Sequence, residues 1–563
     1  MAKVTEIKHL LTEAGESLCG GEWDVYPRPT LVRDSFFSLN GEWELTATDG
    51  KIETITVPYP PESILSGVGR SMGKRPHLIY KKTFRLPDGF VKDRVILHFG
   101  AVDQIAEVIF NGNSLTTHVG GYGHFSFDVT DSILNENDIC VTVVDNLCDK
   151  ILPYGKQRED RGGMWYTPVS GIWQTVWLES VSEKYVKKLN ITVDATEAII
   201  DAEGVTEGLV TVKAPDGEMC VPFKNGRAIV GFTEPVMWSP ENPYLYEFTL
   251  TSGEDTVRSY FALRTLRISE VDGIPRILLN GKPYFFHGVL DQGYFSDGIF
   301  TPATPAEYER DIKTMKSLGF NTLRKHIKLE PEIFYYYCDK LGMIVFQDMI
   351  NNSDYSFIRD TALPTIGLKR LPDKHLHRNK KSRKAFEDCM REIIDTLRNH
   401  PSVCYYTIFN EGWGQFCSDE MYELARSLDR TRIIDSTSGW FFGKRSDVES
   451  LHVYFKPVKL KRAKRPIILS EFGGYSYKPE GHVANEEKTY AYAFYESAKE
   501  LEDAFVKLYE DEIIPQIGTG LCGAIYTQLS DVEDETNGLV SYDRRVIKMN
   551  PERLRAVAEK LKI

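Results

Sequence analysis

Two glutamates in this chain share one kind of setting. Residues 404–409, Cys-Tyr-Tyr-Thr-Ile-Phe, form an aromatic and β-branched run typical of a buried strand, and Asn410 and Glu411 follow it just before Gly412. Residues 467–474, Ile-Ile-Leu-Ser-Glu-Phe-Gly-Gly, are again an apolar run, this time delivering Glu471 to a pair of glycines. A carboxylate at the end of a buried strand needs a partner or a task. Two at the same kind of edge suggest paired carboxylates doing acid–base and nucleophilic chemistry, or else a structural ion pair. The Asn-Glu dipeptide is not itself the signal, because Asn135-Glu136 and Asn485-Glu486 sit in polar surroundings that read as turns.

The elements around these residues define the frame. From residue 275 onward, strand-like runs alternate with helical periodicity. Strands are expected over 284–290, 321–325, 343–348, 404–411, 433–436, 451–455, 467–471 and 523–528, and helices over 305–318, 331–341, 383–398, 418–428, 491–509 and 551–561. Eight strands at parallel-sheet spacing predict a (β/α)8 barrel, whose chemistry sits at the C-terminal ends of its strands. Glu411 would end the fourth strand and Glu471 the seventh. The first part of the chain reads as β throughout: strands over 41–45, 80–86, 95–99, 106–110, 124–129 and 139–144, an Asn111-Gly112 hairpin signal, and an alternating closing strand over 170–179. A second β block has strands over 188–193, 209–213, 244–250 and 257–263, with a proline-fixed corner at 238–243. The expected architecture is a jelly-roll sandwich over 1–182, an immunoglobulin-like sandwich over 183–270 and a TIM barrel over 271–563.

Composition narrows the class. The 563 residues are 42% hydrophobic and 26% charged, enough for a sizeable core, and the net charge of −13 argues against general binding to nucleic acid or a membrane surface. The 12% aromatic content suits stacking on sugars as well as filling sandwich cores. Nine cysteines without a Cys-x-x-Cys pair fit scattered reduced thiols, not a disulfide framework or a zinc site. The first residues lack an apolar core of signal-peptide length, and a cytoplasmic enzyme is expected. His287, His326 and His452 show no metal-ligand spacing, and Gly67, Gly69 and Gly73 do not make a dinucleotide fingerprint. No cofactor or metal is expected.

The motifs resemble glycoside hydrolase family 2, the family of β-galactosidases, β-glucuronidases and β-mannosidases. Residues 170–174, Ser-Gly-Ile-Trp-Gln, resemble the end of its sugar-binding jelly roll, and 279–283, Leu-Asn-Gly-Lys-Pro, the lead-in to its barrel. Met315-Lys316, Gly319, Asn321, Arg324, Cys338-Asp339 and Gly342 resemble its second βα unit; Asn410-Glu411 and residues 470–473, Ser-Glu-Phe-Gly, resemble its catalytic strands. The resemblance implies a retaining exo-glycosidase with Glu471 as nucleophile and Glu411 as acid/base, the two carboxyl groups about 5–5.5 Å apart. It implies that Asn410 bonds the sugar's 2-hydroxyl. Tyr454 would stand against the nucleophile or in the core, Tyr526 would be a stacking platform, and Trp413 would line the leaving-group side or pack its loop. Asp291, Arg324, Lys325 and Lys328 complete the implied substrate contacts. A small glycoside or oligosaccharide is the expected partner, with a homo-oligomer as a further possibility; the alternatives are a β-mannosidase or other family 2 glycosidase and, from a different class, a non-catalytic carbohydrate-binding protein.

The chain also departs from the family pattern. Gln292 and Gly293 replace the histidine and glutamate that follow the first strand in β-galactosidases, and His326-Ile327-Lys328 replaces Ser-His-Tyr. Asn537-Gly538-Leu539 lacks the lysine of the glucuronidase signature. Cations gather near the expected barrel mouth: Lys325 and Lys328; then Arg359, Lys369, Arg370, Lys374, Arg378, Lys380 and Lys381 in the long connection over 349–382; then Lys456 to Arg465 after the sixth strand. The long connection is expected to wall the pocket. The cations point to a hexuronide through charge-assisted hydrogen bonds, while a neutral β-galactoside stays open.

Overall fold

The computed structural model describes residues 7–147, 149–363 and 372–563. Lys369 and Arg370 lie outside the described residues. Among the described residues, no helix is long and apolar enough to cross a membrane, and the eight described cysteines are free.

The N-terminal domain packs two antiparallel sheets face to face. One has four strands, Phe37–Ser38, Val176–Val181, Arg94–Phe99 and Phe125–Asp128; the other has seven, with His77–Phe84, Asn137–Val144 and Ile105–Phe110 at its centre. Alternation along these strands turns Trp43, Tyr80, Leu97, Phe99, Val108 and Val141 into one buried core. The closing strand expected over 170–179 is broken. Gly171–Ile172 pairs with Val102–Asp103, and the ladder resumes at Val176. Gly171 has φ +74°, and a Cβ there would meet the Tyr80 hydroxyl at 2.1 Å, so the backbone turns where only glycine fits.

The second domain is the immunoglobulin-like unit, seven antiparallel strands in the order Lys188–Val193, Glu197–Glu203, Arg227–Gly231, Gly217–Lys224, Glu207–Ala214, Tyr246–Ser252 and Asp255–Phe261. It packs on the barrel through Trp238, whose Nε1 donates to the Asp339 carbonyl over 2.8 Å.

The barrel strands are β1 (Phe286–Asp291), β2 (Thr322–Lys325), β3 (Ile344–Asp348), β4 (Val403–Asn410), β5 (Ile433–Ser438), β6 (Glu449–Val453), β7 (Ile467–Gly473) and β8 (Leu521–Thr527). They are parallel and hydrogen-bonded in the order β5-β4-β3-β2-β1-β8-β7-β6. The two ends of that path lie side by side and close the barrel. All eight residues of β4 are buried, as expected for a strand covered on both faces. Phe286, Leu290, Phe346, Tyr405, Ile468 and Ile525 fill the lower interior.

The outer ring includes α1 (Ala306–Ser317), α2 (Glu332–Leu341), α3 (Lys380–Leu397), α4 (Ser418–Leu428), α5 (Ala498–Leu508) and α6 (Pro551–Ala558). On α3, Phe386, Met390, Ile393 and Leu397 recur at helical spacing and are buried, each such side chain contributing about 1.5–3 kcal/mol. The helix expected over 491–509 begins only at Ala498, capped by Ser497, whose Oγ accepts from the Glu500 amide over 3.2 Å. Ahead of it, Ala493–Phe494 forms a short strand with Tyr475–Ser476, which leaves Tyr490 and Tyr492 free to pack at the mouth. The N-terminal segment lies along the barrel: the Lys8 amide donates to the Ala484 carbonyl and Trp23 Nε1 to the Pro302 carbonyl.

Candidate active site

Strand parity decides which side chains face the barrel interior. On β2, Leu323 and Lys325 point outward and Arg324 inward, where it is fully buried. Its guanidinium fork is saturated: Nε donates to Asp348 Oδ1 over 3.0 Å, Nη1 to Glu471 Oε1 over 2.9 Å and Nη2 to Asn410 Oδ1 over 2.9 Å. One arginine thus ties the ends of β3, β4 and β7 together. Asp348 in turn receives His326 Nδ1 at 2.6 Å.

Glu471 is 5% exposed. Its Oε2 accepts from the Tyr454 hydroxyl over 2.7 Å, and that hydroxyl also lies 2.9 Å from Thr527 Oγ1. Burial alone would raise the Glu471 pKa, but the charges of His452, Arg324 and His326, with the Tyr454 hydrogen bond, outweigh it and hold the carboxyl well below the usual carboxylate range.

Glu411 follows β4 with φ +50°, a region costly for a side-chain-bearing residue and found where surrounding structure enforces it. Its amide donates to the Ser438 carbonyl over 3.0 Å, and the Trp413 amide to the Asn410 carbonyl over 3.1 Å, which fixes the turn. Its Oε1 lies 2.8 Å from His452 Nδ1; His452 Nε2 meets Ser438 Oγ at 2.6 Å, and its Nδ1 is also 3.5 Å from Glu471 Oε2. One ligand atom each from Glu411, His452 and Glu471 lies within 4.8 Å of the others. That spacing would also admit a metal ion, and among the described residues no other group of histidine, cysteine and carboxylate side chains does so.

The structure therefore brings together Asn410, Glu411, Arg324, Tyr454 and Glu471. It separates the other expected contacts from them. Lys325 and Asp291 pair across adjacent strands and both point outward, Lys325 Nζ lying 2.6 Å from Asp291 and 2.9 Å from Glu330 and 4.3 Å from the Phe334 ring. Lys328 Nζ donates to the carbonyls of Gly293 and Phe300 and pairs with Glu330 at 2.9 Å. These lysines are spent beneath the barrel rim and do not line the pocket. Tyr526 is one residue out of phase: it faces outward against Phe472 and Phe505, fully buried, and Thr527 takes the inward position. Trp413 takes the packing alternative, its ring covered by Tyr154, Trp165 and Tyr355. The cations after β6 descend from the mouth, as shown by Arg462 donating to the Gly273 carbonyl at the far end of the barrel.

Sequence reasoning weighed His326 and His452 only as core or loop histidines and did not single out Asp348. A carboxylate ending β3 was a usable signal for Asp348. Trp440 was missed as well. It stacks edge-on to His452 at 5.7 Å, and its Nε1 donates to the Asp360 carbonyl over 2.9 Å, which holds the Phe357–Ala362 turn of the long connection beside the carboxylates.

The description "Glycosyl hydrolases family 2, TIM barrel domain" matches residues 270–548, and "Glycosyl hydrolases family 2, sugar binding domain" matches residues 29–181. A β-galactosidase of Thermoanaerobacter pseudethanolicus is 23% identical over 421 residues, covering 70% of this chain and 53% of the relative. A putative β-glucuronidase of Formosa agariphila is 23% identical over 525 residues, covering 81% of this chain and 58% of the relative. The chain thus spans little more than half the length of these curated relatives. Among solved structures, a family 2 β-galacturonidase from Eisenbergiella tayi bound to galacturonate superposes with a TM-score of 0.68 at 19% identity, covering 95% of this chain and 99% of that one. A β-glucuronidase from an uncultured Clostridium gives 0.73 at 18% identity, covering 95% and 99%. With both the sugar-binding and the barrel descriptions matched and the fold shared from end to end with these structures, the chain belongs to glycoside hydrolase family 2.

Proposed function

We propose that this protein hydrolyses terminal β-linked hexose or hexuronic acid residues, as β-galactosides, β-glucuronides or β-galacturonides, with retention of configuration. The observation that carries this reading is the placement of Glu411 and Glu471, whose oxygens approach within 4.8 Å. A retaining pair stands about 5–5.5 Å apart, and an inverting pair about 6.5–9.5 Å, with room for a water between.

The surroundings of the two carboxylates support distinct roles for them. Arg324, His452 and Tyr454 keep Glu471 ionised, so it attacks the anomeric carbon as the bond to the leaving oxygen breaks. Glu411, the more exposed of the two and bound to His452, gives its proton to that oxygen. Glu411 then takes a proton from water, which attacks the anomeric carbon and releases Glu471 from the glycosyl ester. Asn410 has its Oδ1 occupied by Arg324, which leaves its amide nitrogen to donate to the 2-hydroxyl. The Trp440 hydrogen bond to the Asp360 carbonyl holds the described part of the long connection around residue 360 near the mouth, which supports action at chain ends. The free described cysteines suit a cytoplasmic enzyme.

A panel of nitrophenyl glycosides followed by proton NMR tests the proposal. The β-anomer of the released sugar is expected first, and Glu471→Gln and Glu411→Gln are each expected to lower turnover by about 100-fold or more. An α-anomer appearing first, or full activity in Glu471→Gln, would rule it out.

A further inference from the structure

A buried lysine with no carboxylate in hydrogen-bond contact lies on a loop packed against the barrel mouth. Lys156 lies on a loop of the N-terminal domain, far in sequence from every barrel strand. That loop is pressed onto the barrel: the amides of Tyr154 and Gly155 both donate to the Asn351 carbonyl, over 3.1 and 3.2 Å. Gly155 has φ +65°, and a Cβ on it would meet the Ile327 carbonyl at 2.8 Å. The contact thus falls on the residue next to His326.

Lys156 is only 9% exposed, and its one close neighbour of note is the Trp165 ring, 5.5 Å from Nζ. Among the described residues its ammonium makes no ion pair and no hydrogen bond. It nevertheless stands within electrostatic reach of the site. Burial lowers the pKa of His326 and the Lys156 charge lowers it further; burial raises that of Glu535, and Lys156 opposes the rise. Glu535 itself is engaged by the Tyr166 hydroxyl and by Asn537 Nδ2. The contrast with the other lysines near the mouth is clear, since Lys325 and Lys328 have carboxylate partners. A nine-tenths buried ammonium with no carboxylate in hydrogen-bond contact is costly, so a direct partner is expected to arrive with the ligand.

We propose that Lys156 reads the charge of the substrate: the sugar bound in the pocket is a hexuronic acid residue whose carboxylate accepts a charge-assisted hydrogen bond from Lys156 Nζ. This rests on the glycosidase reading above and narrows it to uronides. Recognition comes from the N-terminal domain, so the jelly roll supplies a specificity residue to a barrel-borne site. Arg158, whose guanidinium lies 4.4 Å from the Trp165 ring, is a second cation on the same loop, followed by Glu159 and Asp160.

The test compares nitrophenyl β-glucuronide and β-galacturonide with the matching glucoside and galactoside. The wild type is expected to prefer a uronide. In Lys156→Gln the uronide-to-hexoside ratio of kcat/KM should fall by about 30-fold or more, mainly through KM, and Lys156→Arg should recover part of it. A ratio within about threefold of wild type in Lys156→Gln overturns the assignment, as does a wild type that prefers the neutral sugar. If Lys156→Gln does not fold, judged by circular dichroism, Lys156→Met gives the same comparison. A wild type that hydrolyses no glycoside defeats the glycosidase reading separately. Calorimetry with free glucuronate and galacturonate then decides on Lys156: binding lost in Lys156→Gln supports it, and no binding, or equal binding, overturns it.

Discussion

Arg324 Nη1 lies 2.9 Å from Glu471 Oε1, and the same guanidinium also holds Asp348 and Asn410. Removing it breaks three links at once and leaves Asp348 buried with only His326. Arg324→Met is expected to lower kcat by about 100-fold or more and to destabilise the fold by about 3–5 kcal/mol. Arg324→Lys should recover little, because an ammonium cannot fill the fork. Steady-state kinetics and urea unfolding on the same samples check both parts, and a variant of wild-type stability would contradict the central role of the fork.

The Tyr454 hydrogen bond gives a pH prediction. The folded pKa of Glu471 is depressed, so its contribution to stability is fully present above the unfolded carboxylate value of about 4.3 and is lost as pH falls through the folded value. The nucleophile accordingly stays ionised well into the acid range. Tyr454→Phe removes the 2.7 Å donor and raises the Glu471 pKa. The acid limb of kcat/KM should therefore move to higher pH, with a lower plateau. Profiles recorded across the acid range for both proteins decide this; superimposable acid limbs would refute it.

Lys325 serves as a test of position against charge. It sits outside the barrel wall between Asp291 and Glu330, so Lys325→Met strands the buried Asp291 and leaves Glu330 with Lys328 and the Tyr308 hydroxyl. The expected result is a loss of about 3–5 kcal/mol in chemical denaturation, with KM of the folded protein unchanged. A raised KM at unchanged stability would return Lys325 to the list of substrate contacts.

Gly155 tests the junction between domains. Gly155→Ala adds a Cβ that meets the Ile327 carbonyl at 2.8 Å on a backbone with φ +65°. We expect about 1–2 kcal/mol of destabilisation from the left-handed conformation, together with a raised KM as the loop lifts from the barrel. Thermal unfolding and KM are the two readouts, and wild-type values for both would show that the loop does not depend on this contact.

Much of this was legible locally. The eight barrel strands announced themselves as short apolar runs bounded by glycine and alternating with helical periodicity. The settings of Glu411 and Glu471 were visible for the same reason: a charged residue at the end of a buried strand is conspicuous against its neighbours. Local pattern also placed α4 at Ser418–Leu428 to the residue. It was less reliable before α5, where residues 491–497 have helix-compatible composition but are taken up by pairing with Tyr475–Ser476 and by packing at the mouth.

What the tertiary structure alone decided was the face and the company of each side chain. Tyr526 and Thr527 are neighbours in sequence, and Lys325 follows Arg324, yet in each pair only one points into the barrel. A strand's residues alternate in direction, and the phase is set by pairing with neighbouring strands, which a single run of sequence does not carry. His452 had no distinguishing neighbours until β6 was laid beside β7 and its ring came between two carboxylates. Lys156 is the extreme case. Nothing near it in sequence marks it, and its environment is created when a loop of one domain closes on the barrel of another, because long-range contact depends on packing and leaves no local trace in the chain.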